Sequence, residues 1–352
     1  MAARWERSLQ RLIYWLFILI ASGLILYFFI QVSGVNRYYK ARLGDMVYGT
    51  AYRPYVYRAL LPTVVSLFSP LIPSGVGGVS MQIPGMGQML SRLDAATYPA
   101  EALLVLLGLY LSLLGFVLSL RYLMRALDYT EKVIDWVSAA ALPLLSPMFL
   151  TGYIYDFPML FLFTLGLAML LRRLWLAYLV VFLLASLNKE TSILLTLVFA
   201  FHYWRNLERG IYYRLLAVQL ILFITVKMGL AWIFRANPGG MFEYHLPDQI
   251  RAIQSMPGLA LFLGLILCGL GVLIARRWLE QPLFLRHALL IAIPLGILYL
   301  FFSMPFELRV FYELYPVVLL MVVNGLIRKK YLPLSCEERQ DPFNIFSFVA
   351  SR

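Results

Sequence analysis

Apolar residues fall in long runs broken by short charged or proline-bearing connections, and ten of these runs approach the length that crosses a bilayer. They cover Leu12–Val32, Ala100–Leu120, Val133–Leu150, Pro158–Leu171, Leu174–Leu187, Ser192–Trp204, Leu215–Phe234, Leu259–Ala275, Ala288–Met304 and Leu314–Ile327. A helix of about 20 apolar residues spans a hydrocarbon core roughly 30 Å thick. The pattern therefore predicts an all-α polytopic membrane protein of about ten transmembrane helices. The first run continues past the length of a signal-peptide core and lacks a small-residue cleavage site, so it is expected to persist as the first transmembrane helix. A long first loop, 33–99, follows it. Within that loop Arg58–Pro73 is mostly apolar but carries Pro62, Pro70 and Pro73, which predicts a short helix or two in the membrane interface. Ser74–Tyr98, with several glycines and methionines, reads as mobile loop. The whole chain, 1–352, reads as a single transmembrane domain with a cytoplasmic tail over 331–352.

Charge then orients the bundle. Arg4, Arg7 and Arg11 precede the first run, and every second connection after it is basic: Arg121/Arg125/Lys132, Arg172/Arg173, Arg205/Arg209/Arg214, Arg276/Arg277/Arg286 and Arg328/Lys329/Lys330. The positive-inside rule places both termini in the cytoplasm and the 33–99 loop outside. Composition agrees, because 62% hydrophobic residues, 14% charged residues and a mean hydropathy of +0.79 are far too apolar for a soluble domain. A net charge of +12 would suggest nucleic acid in a soluble protein. Here most Lys and Arg sit at the ends of apolar segments, and no nucleic-acid partner is expected. Cys268, in an apolar run, and Cys336, in the tail, have neither disulfide character nor ligand spacing.

This orientation puts the unusual polar stretches on one side. They are the loop holding Asp45, the Tyr153-Ile154-Tyr155-Asp156 turn, the Asn188-Lys189-Glu190-Thr191 turn, Phe242–Arg251, and Phe306-Glu307-Leu308-Arg309. The cytoplasmic connections carry little beyond anchoring charge. The two runs flanking Lys189-Glu190 have only about 14 and 13 residues, or roughly 20 Å of helix, so their turn is expected below the outer surface. A Lys and a Glu at that depth must be paired or face a wet cavity. Asp156, among aromatic neighbours, falls under the same argument, and a polar cavity in the outer half of the bundle is expected.

Each candidate has a plain reading beside a functional one. Asp45, in a segment with Arg42, Tyr48, Arg53 and Arg58, reads either as a loop aspartate or helix cap, or as a base for an attacking hydroxyl. Nearby arginines would favour its charged form. Lys189 and Glu190 read as an ion pair closing a hairpin, or as Lys189 on an anionic substrate group with Glu190 on a hydroxyl or cation. Arg309, between Glu307 and Glu313, either snorkels or offers its fork to a phosphate. His245 with Glu243 and Asp248 has metal-ligand chemistry, yet one His in a surface loop is more often only that. Lys227, in mid-span, faces another helix or a cavity.

Gly44-Asp45, followed by Tyr57-Arg58 and Leu60-Leu61-Pro62 just beyond the first transmembrane helix, resembles the first outer loop of the GT-C superfamily of integral-membrane glycosyltransferases, and more narrowly its mannosyltransferase branch. Leu187-Asn188-Lys189-Glu190-Thr191 and Glu307-Leu308-Arg309 are similar to elements of bacterial membrane proteins of this size. The resemblance implies a GT-C-like fold in a bacterial inner membrane with its active site on the non-cytoplasmic face. It makes Asp45 the catalytic base and sets Arg309 and Lys189 near a lipid phosphate. Arg53, Arg58, Asp156, Glu190 and Glu307 complete the expected substrate-binding set. The implied partners are a polyprenyl-phosphate-sugar donor, a glycan, lipid or protein acceptor, and the bilayer. Cofactors stay open between none and a divalent metal. The implied transfer inverts the anomeric carbon and needs no nucleotide site, in keeping with the lack of a Gly-rich phosphate loop. The competing reading is a transporter or flippase with Lys189, Glu190 and Lys227 at a midplane site. A transporter should expose functional polarity to both faces, so the one-sided clustering favours the enzyme.

Overall fold

The computed structural model describes residues 2–240 and 242–327, and the regular structure among them is helical throughout. The expected cytoplasmic tail, 331–352, lies outside the described residues, as do Arg328, Lys329, Lys330 and Cys336. The first helix, α1 (Ala2–Val32), is stopped at Gly34, whose φ of +67° is the left-handed turn that commonly closes a helix C-terminus. The first loop is more ordered than its sequence suggests. It holds α2 (Leu43–Val47), α3 (Leu60–Phe68), α4 (Ser74–Met81) and α5 (Met86–Arg92). The expectation of a mobile loop over Ser74–Tyr98 is thus corrected. Leu90 and Leu93 are fully buried, and α5 packs on α1 and on α6, so tertiary burial outweighs the helix-weakening glycines.

The axis of the molecule is α6 (Pro99–Ala126), which buries Ala102, Val105, Leu109, Leu113, Phe116, Val117 and Leu120 at helical spacing. Its most extensive partner is α8 (Asp156–Leu171). The two approach closely at Gly115, where a Cβ would lie 2.8 Å from the Phe161 ring; small residues serve this purpose at helix contacts within membranes. Between them the expected span Val133–Leu150 is broken. Helix α7 (Glu131–Ala141) ends before Pro143, and Pro143 and Pro147 leave the remainder as a 3-10 turn, because each lacks the amide an α-helix needs.

The chain continues through α9 (Trp175–Asn188), α10 (Ile193–Tyr203), α11 (Arg209–Ile233), α12 (Leu246–Ser255), α13 (Pro257–Ala275), α14 (Leu283–Leu289), α15 (Ala292–Phe302) and α16 (Tyr315–Leu326). Five segments among the described residues are long and apolar enough to cross a membrane: Ser8–Val32, Pro99–Ala126, Arg209–Ile233, Pro257–Ala275 and Leu283–Phe302. The other expected spans are α8, α9, α10 and α16, of 16, 14, 11 and 12 residues, together with the broken α7. Even α8 measures only about 24 Å against a core of roughly 30 Å. Among the long helices only α6 is half buried; the short ones lie deep in the protein. The short α8 buries Phe157, Leu160, Phe163 and Leu167, whereas only 11% of the most apolar stretch of α11 and 6% of that of α13 is covered by protein.

Replacing Gly115 by Leu should overpack the α6/α8 contact, cost about 1–3 kcal/mol and lower the thermal midpoint of the purified chain in detergent. Gly264→Leu, with open space around it, should leave the midpoint unchanged. Equal midpoints for the two variants would contradict the close approach.

Candidate functional site: a charge cluster buried beneath the first loop

Four elements converge where α8 begins: the turn leading into α8, the α9/α10 connection, the 3-10 turn Leu308–Phe311 before α16, and the strap Tyr52–Arg58 of the first loop. Asp156 is fully buried, and its carboxylate does two things. Oδ2 accepts the Tyr153 amide at 2.8 Å, closing the helix start, and Oδ1 accepts Arg309 Nη1 at 3.2 Å. Arg309 also donates from Nε to Glu307 Oε1 at 2.7 Å, while Glu307 Oε2 accepts the Met304 amide at 2.7 Å. The Arg309 guanidinium lies 4.2 Å from the centre of the Tyr153 ring, and Tyr153 stacks on both Tyr155 and Tyr55.

Arg58 closes the other side of the aromatic stack. It sits over Tyr155, bonds the Tyr155 hydroxyl and reaches Glu190 Oε1 at 2.7 Å. Beside it Lys189 pairs with the fully buried Glu313 at 2.8 Å, and the Thr191 hydroxyl donates to the same carboxylate. Asn188 Nδ2 donates to the Tyr155 carbonyl, and the Ala59 amide donates to the Leu187 carbonyl, so the strap is laced to the α9 end. From α11, Lys227 Nζ donates to the Ser186 carbonyl at 2.7 Å. Arg58, Lys189, Lys227 and Arg309 thus stand against Asp156, Glu190, Glu307 and Glu313, four basic and four acidic groups. An unpaired ion taken out of water costs several kcal/mol, which is why the cluster is balanced.

A second, shallower cluster clamps the strap from outside. Glu243 accepts Lys40 Nζ at 2.6 Å and the Tyr38 hydroxyl at 3.0 Å, and His245 lies between Glu243 and Asp248. Asn237 Nδ2 donates to the Gly49 and Ala51 carbonyls, and the Arg53 amide donates to the Pro238 carbonyl. Partial burial disfavours the Glu243 anion, but the hydrogen bonds from Lys40 and Tyr38 prevail and hold its carboxyl below the usual range; the bond to Glu243 raises the Lys40 ammonium.

Of the residues expected to bind substrate, the structure brings together Arg58, Asp156, Lys189, Glu190, Glu307 and Arg309. It leaves Asp45 and Arg53 outside their network of contacts. Asp45 is half-buried in α2, accepts the Thr50 hydroxyl at 3.2 Å, and has no cation at ion-pair distance among the described residues. The arginines expected around it are engaged or directed elsewhere: Arg58 on Glu190, Arg42 exposed, and Arg53 with its Nε buried and without a partner. Lys189 and Glu190 do not pair with each other. Lys189 is extended, so the two side chains leave on opposite sides, one to Glu313 and one to Arg58. Arg309 and Lys189, expected beside a lipid phosphate, are each already neutralised.

Sequence reasoning missed the Glu313 partnership, the Tyr55/Tyr153/Tyr155 stack and the Lys40–Glu243 clamp, all joining residues far apart in the chain. It also understated the C-terminal end of α6. There Arg121 is buried against Asp135, Arg125 meets Glu131, and Tyr129 bonds Asn324, which donates to Gln281. The polar chemistry is therefore not confined to one end. No group of three or more His, Cys, Asp and Glu among the described residues is arranged to hold a metal ion.

Comparison with protein-family models, with curated proteins and with solved structures gives no significant match. The fold itself defines the class: its described residues are all-helical, with five segments long and apolar enough to cross a membrane.

Lys189→Met should strand Glu313 and cost about 3–5 kcal/mol, read as lost folded yield and a lower thermal midpoint. Adding Glu313→Leu should recover most of that loss, and a double variant no better than the single would refute the pairing. For the outer clamp the depressed Glu243 pKa means stability that is complete above about 4.5 and lost as pH falls through the lower folded value. The midpoint should therefore drop more steeply below about pH 4.5 in the wild type than in Glu243→Gln. Parallel pH profiles would assign the clamp no role.

Proposed function

We propose that the chain is an integral-membrane glycosyltransferase, moving a sugar from a polyprenyl-phosphate donor to an acceptor hydroxyl on the non-cytoplasmic face, with Asp45 as general base. The observation that carries this reading is the contrast between Asp45 and the cluster below it. Every carboxylate of the cluster is bound to a cation or to backbone amides, whereas Asp45 is half-buried, bonded to Thr50 and free of a cation among the described residues. A carboxylate without an ion pair has oxygen lone pairs free to accept a proton, and a base needs rigid support. The support is present. Gly44 lies so close to Tyr98 that a Cβ would sit 2.4 Å from its ring, and the Asp45 carbonyl accepts the Thr50 and Ala51 amides.

In the proposed step Asp45 takes the acceptor's proton as that oxygen attacks the anomeric carbon. The bond from that carbon to the phosphate oxygen breaks, the polyprenyl phosphate leaves with the electron pair, and the configuration inverts. Charge growing on the phosphate would be met by fixed donors. With Arg309 and Lys189 neutralised, their part is to hold the elements around the site in place, together with Arg58, Asp156, Glu190 and Glu307. A transporter or flippase is the second reading. It is favoured by Lys227, which stands on the long, exposed α11 and donates its ammonium to the Ser186 carbonyl of α9, and by the buried polar groups at both ends of α6.

Asp45→Asn keeps the bond to Thr50 but removes the basic site, so turnover should fall about 10²–10⁴-fold while donor binding persists. The measurement is transfer from a panel of polyprenyl-phosphate sugars beside a binding titration. Transfer at the wild-type rate by the Asn variant would sink the assignment, and a panel with no transferable donor would favour the transporter.

A further inference from the structure

The end of α1 that meets the first loop borders a cavity of about 260 Å³. That is below the roughly 300–1,000 Å³ of pockets that engulf a drug-sized ligand, so it suits a headgroup rather than a whole amphiphile. Its polar wall is Arg37, Tyr38, Thr151 and Tyr153. Arg37 is exposed and has no carboxylate partner among the described residues, unlike Arg58, Lys189 and Arg309 nearby. Thr151 Oγ1 is buried without a hydrogen-bond partner. Gly34 leaves room for the Arg37 side chain, because a Cβ there would stand 3.0 Å from Arg37 Cδ. Gly152 lets the Phe29 ring pack closely beneath the cavity, where a Cβ would lie 2.4 Å from it.

The other wall is apolar and open. Val32 and Leu150 are each about half exposed at the rim, and Ile20, Leu24, Phe28 and Val32 recur every fourth residue down α1, all more than 50% exposed. Residues at that spacing form one stripe, which from Ile20 to Val32 runs about 18 Å along a helix long enough to cross a membrane. An unopposed guanidinium and an unsatisfied hydroxyl lining one cavity are the donors a phosphate accepts from. A stripe of exposed apolar side chains leading into it is a track for a hydrocarbon tail.

We infer that this cavity seats the phosphate of a membrane lipid, on Arg37 and Thr151, with the lipid tail lying along the Ile20–Leu24–Phe28–Val32 face of α1. The phosphate accepts two hydrogen bonds from the Arg37 fork and one from the Thr151 hydroxyl. The inference concerns binding alone and stands apart from sugar transfer by Asp45.

The test is equilibrium binding to the full chain in uncharged detergent micelles, with four probes: undecaprenyl phosphate, phosphatidylglycerol, undecaprenol and inorganic phosphate. At least one lipid phosphate should bind saturably, and whichever binds more tightly identifies the source. Undecaprenol and inorganic phosphate, each offering half the chemistry, should bind much more weakly. Arg37→Gln should weaken the lipid phosphate about tenfold or more, the scale of a lost charge-assisted hydrogen bond. Thr151→Val should weaken it less, and Arg42→Gln, at an exposed arginine of the same loop, should not change it. Unaltered binding by Arg37→Gln, inorganic phosphate competing as well as the lipid, or no saturable binding by either lipid phosphate would each overturn the inference. Because Arg37 is exposed, its replacement should leave the thermal midpoint intact, and a lowered midpoint with unchanged binding would reduce Arg37 to a helix cap. A failed transfer assay leaves this binding result standing, and a failed binding result leaves the role of Asp45 to its own test.

Discussion

Arg309 held between Asp156 and Glu307 is the contact on which the architecture turns. A guanidinium buried in an apolar bundle needs acceptors on more than one side, and here they come from the start of α8 and from the turn before α16. Asp156 can serve only because the Tyr153 amide binds its other oxygen, and that bond fixes the turn bearing Tyr153 and Tyr155. The stacked tyrosines in turn carry Arg58, which draws in Glu190 and the α9 end. Neutralising one buried cation therefore positions four segments of chain, and Lys189 with Glu313 makes a second buried pair beside it.

The helix lengths make sense in the same terms. A helix too short to cross the bilayer leaves polar ends at hydrocarbon depth, and these are tolerated only where other helices surround them. The short α8, α9 and α10 lie inside, with Asp156 and Lys189 at their ends, while the long α11 and α13 stand largely uncovered at the periphery. The buried cluster and the short helices are thus one feature: the ends that stop early are the ends that meet the paired charges.

A division of labour follows between committed and uncommitted groups. Side chains locked in the cluster have their hydrogen-bonding capacity spent on one another, and their work is to make the scaffold rigid. Two groups beside the cluster stand without a carboxylate or cation at ion-pair distance among the described residues: Asp45 in α2 and Arg37 beside the α1 cavity. Charges left free by a scaffold that pairs its others are where binding or proton transfer should be sought.

Hydropathy alone determined that the chain is helical and built for a membrane, because about 20 apolar residues in sequence have few other stable forms in lipid. It also singled out Arg58, Asp156, Lys189, Glu190, Glu307 and Arg309, since ionisable residues beside apolar runs stand out against their surroundings. Which runs are long continuous helices was less legible: Pro143 and Pro147 break one of them, and the short runs differ from spans only in what covers them. Helices over Ser74–Met81 and Met86–Arg92 were hidden, because they depend on Leu90 and Leu93 finding a core assembled from distant segments. Apart from local pairs such as Arg309 with Glu307, pairing was decided by tertiary structure. Glu190 sits next to Lys189 in sequence yet pairs with Arg58, and Lys189 pairs with Glu313, 124 positions away. Sequence records which charges are present, but an ion pair is set by the direction of side chains across helices, and the extended backbone at Lys189 turns those directions apart.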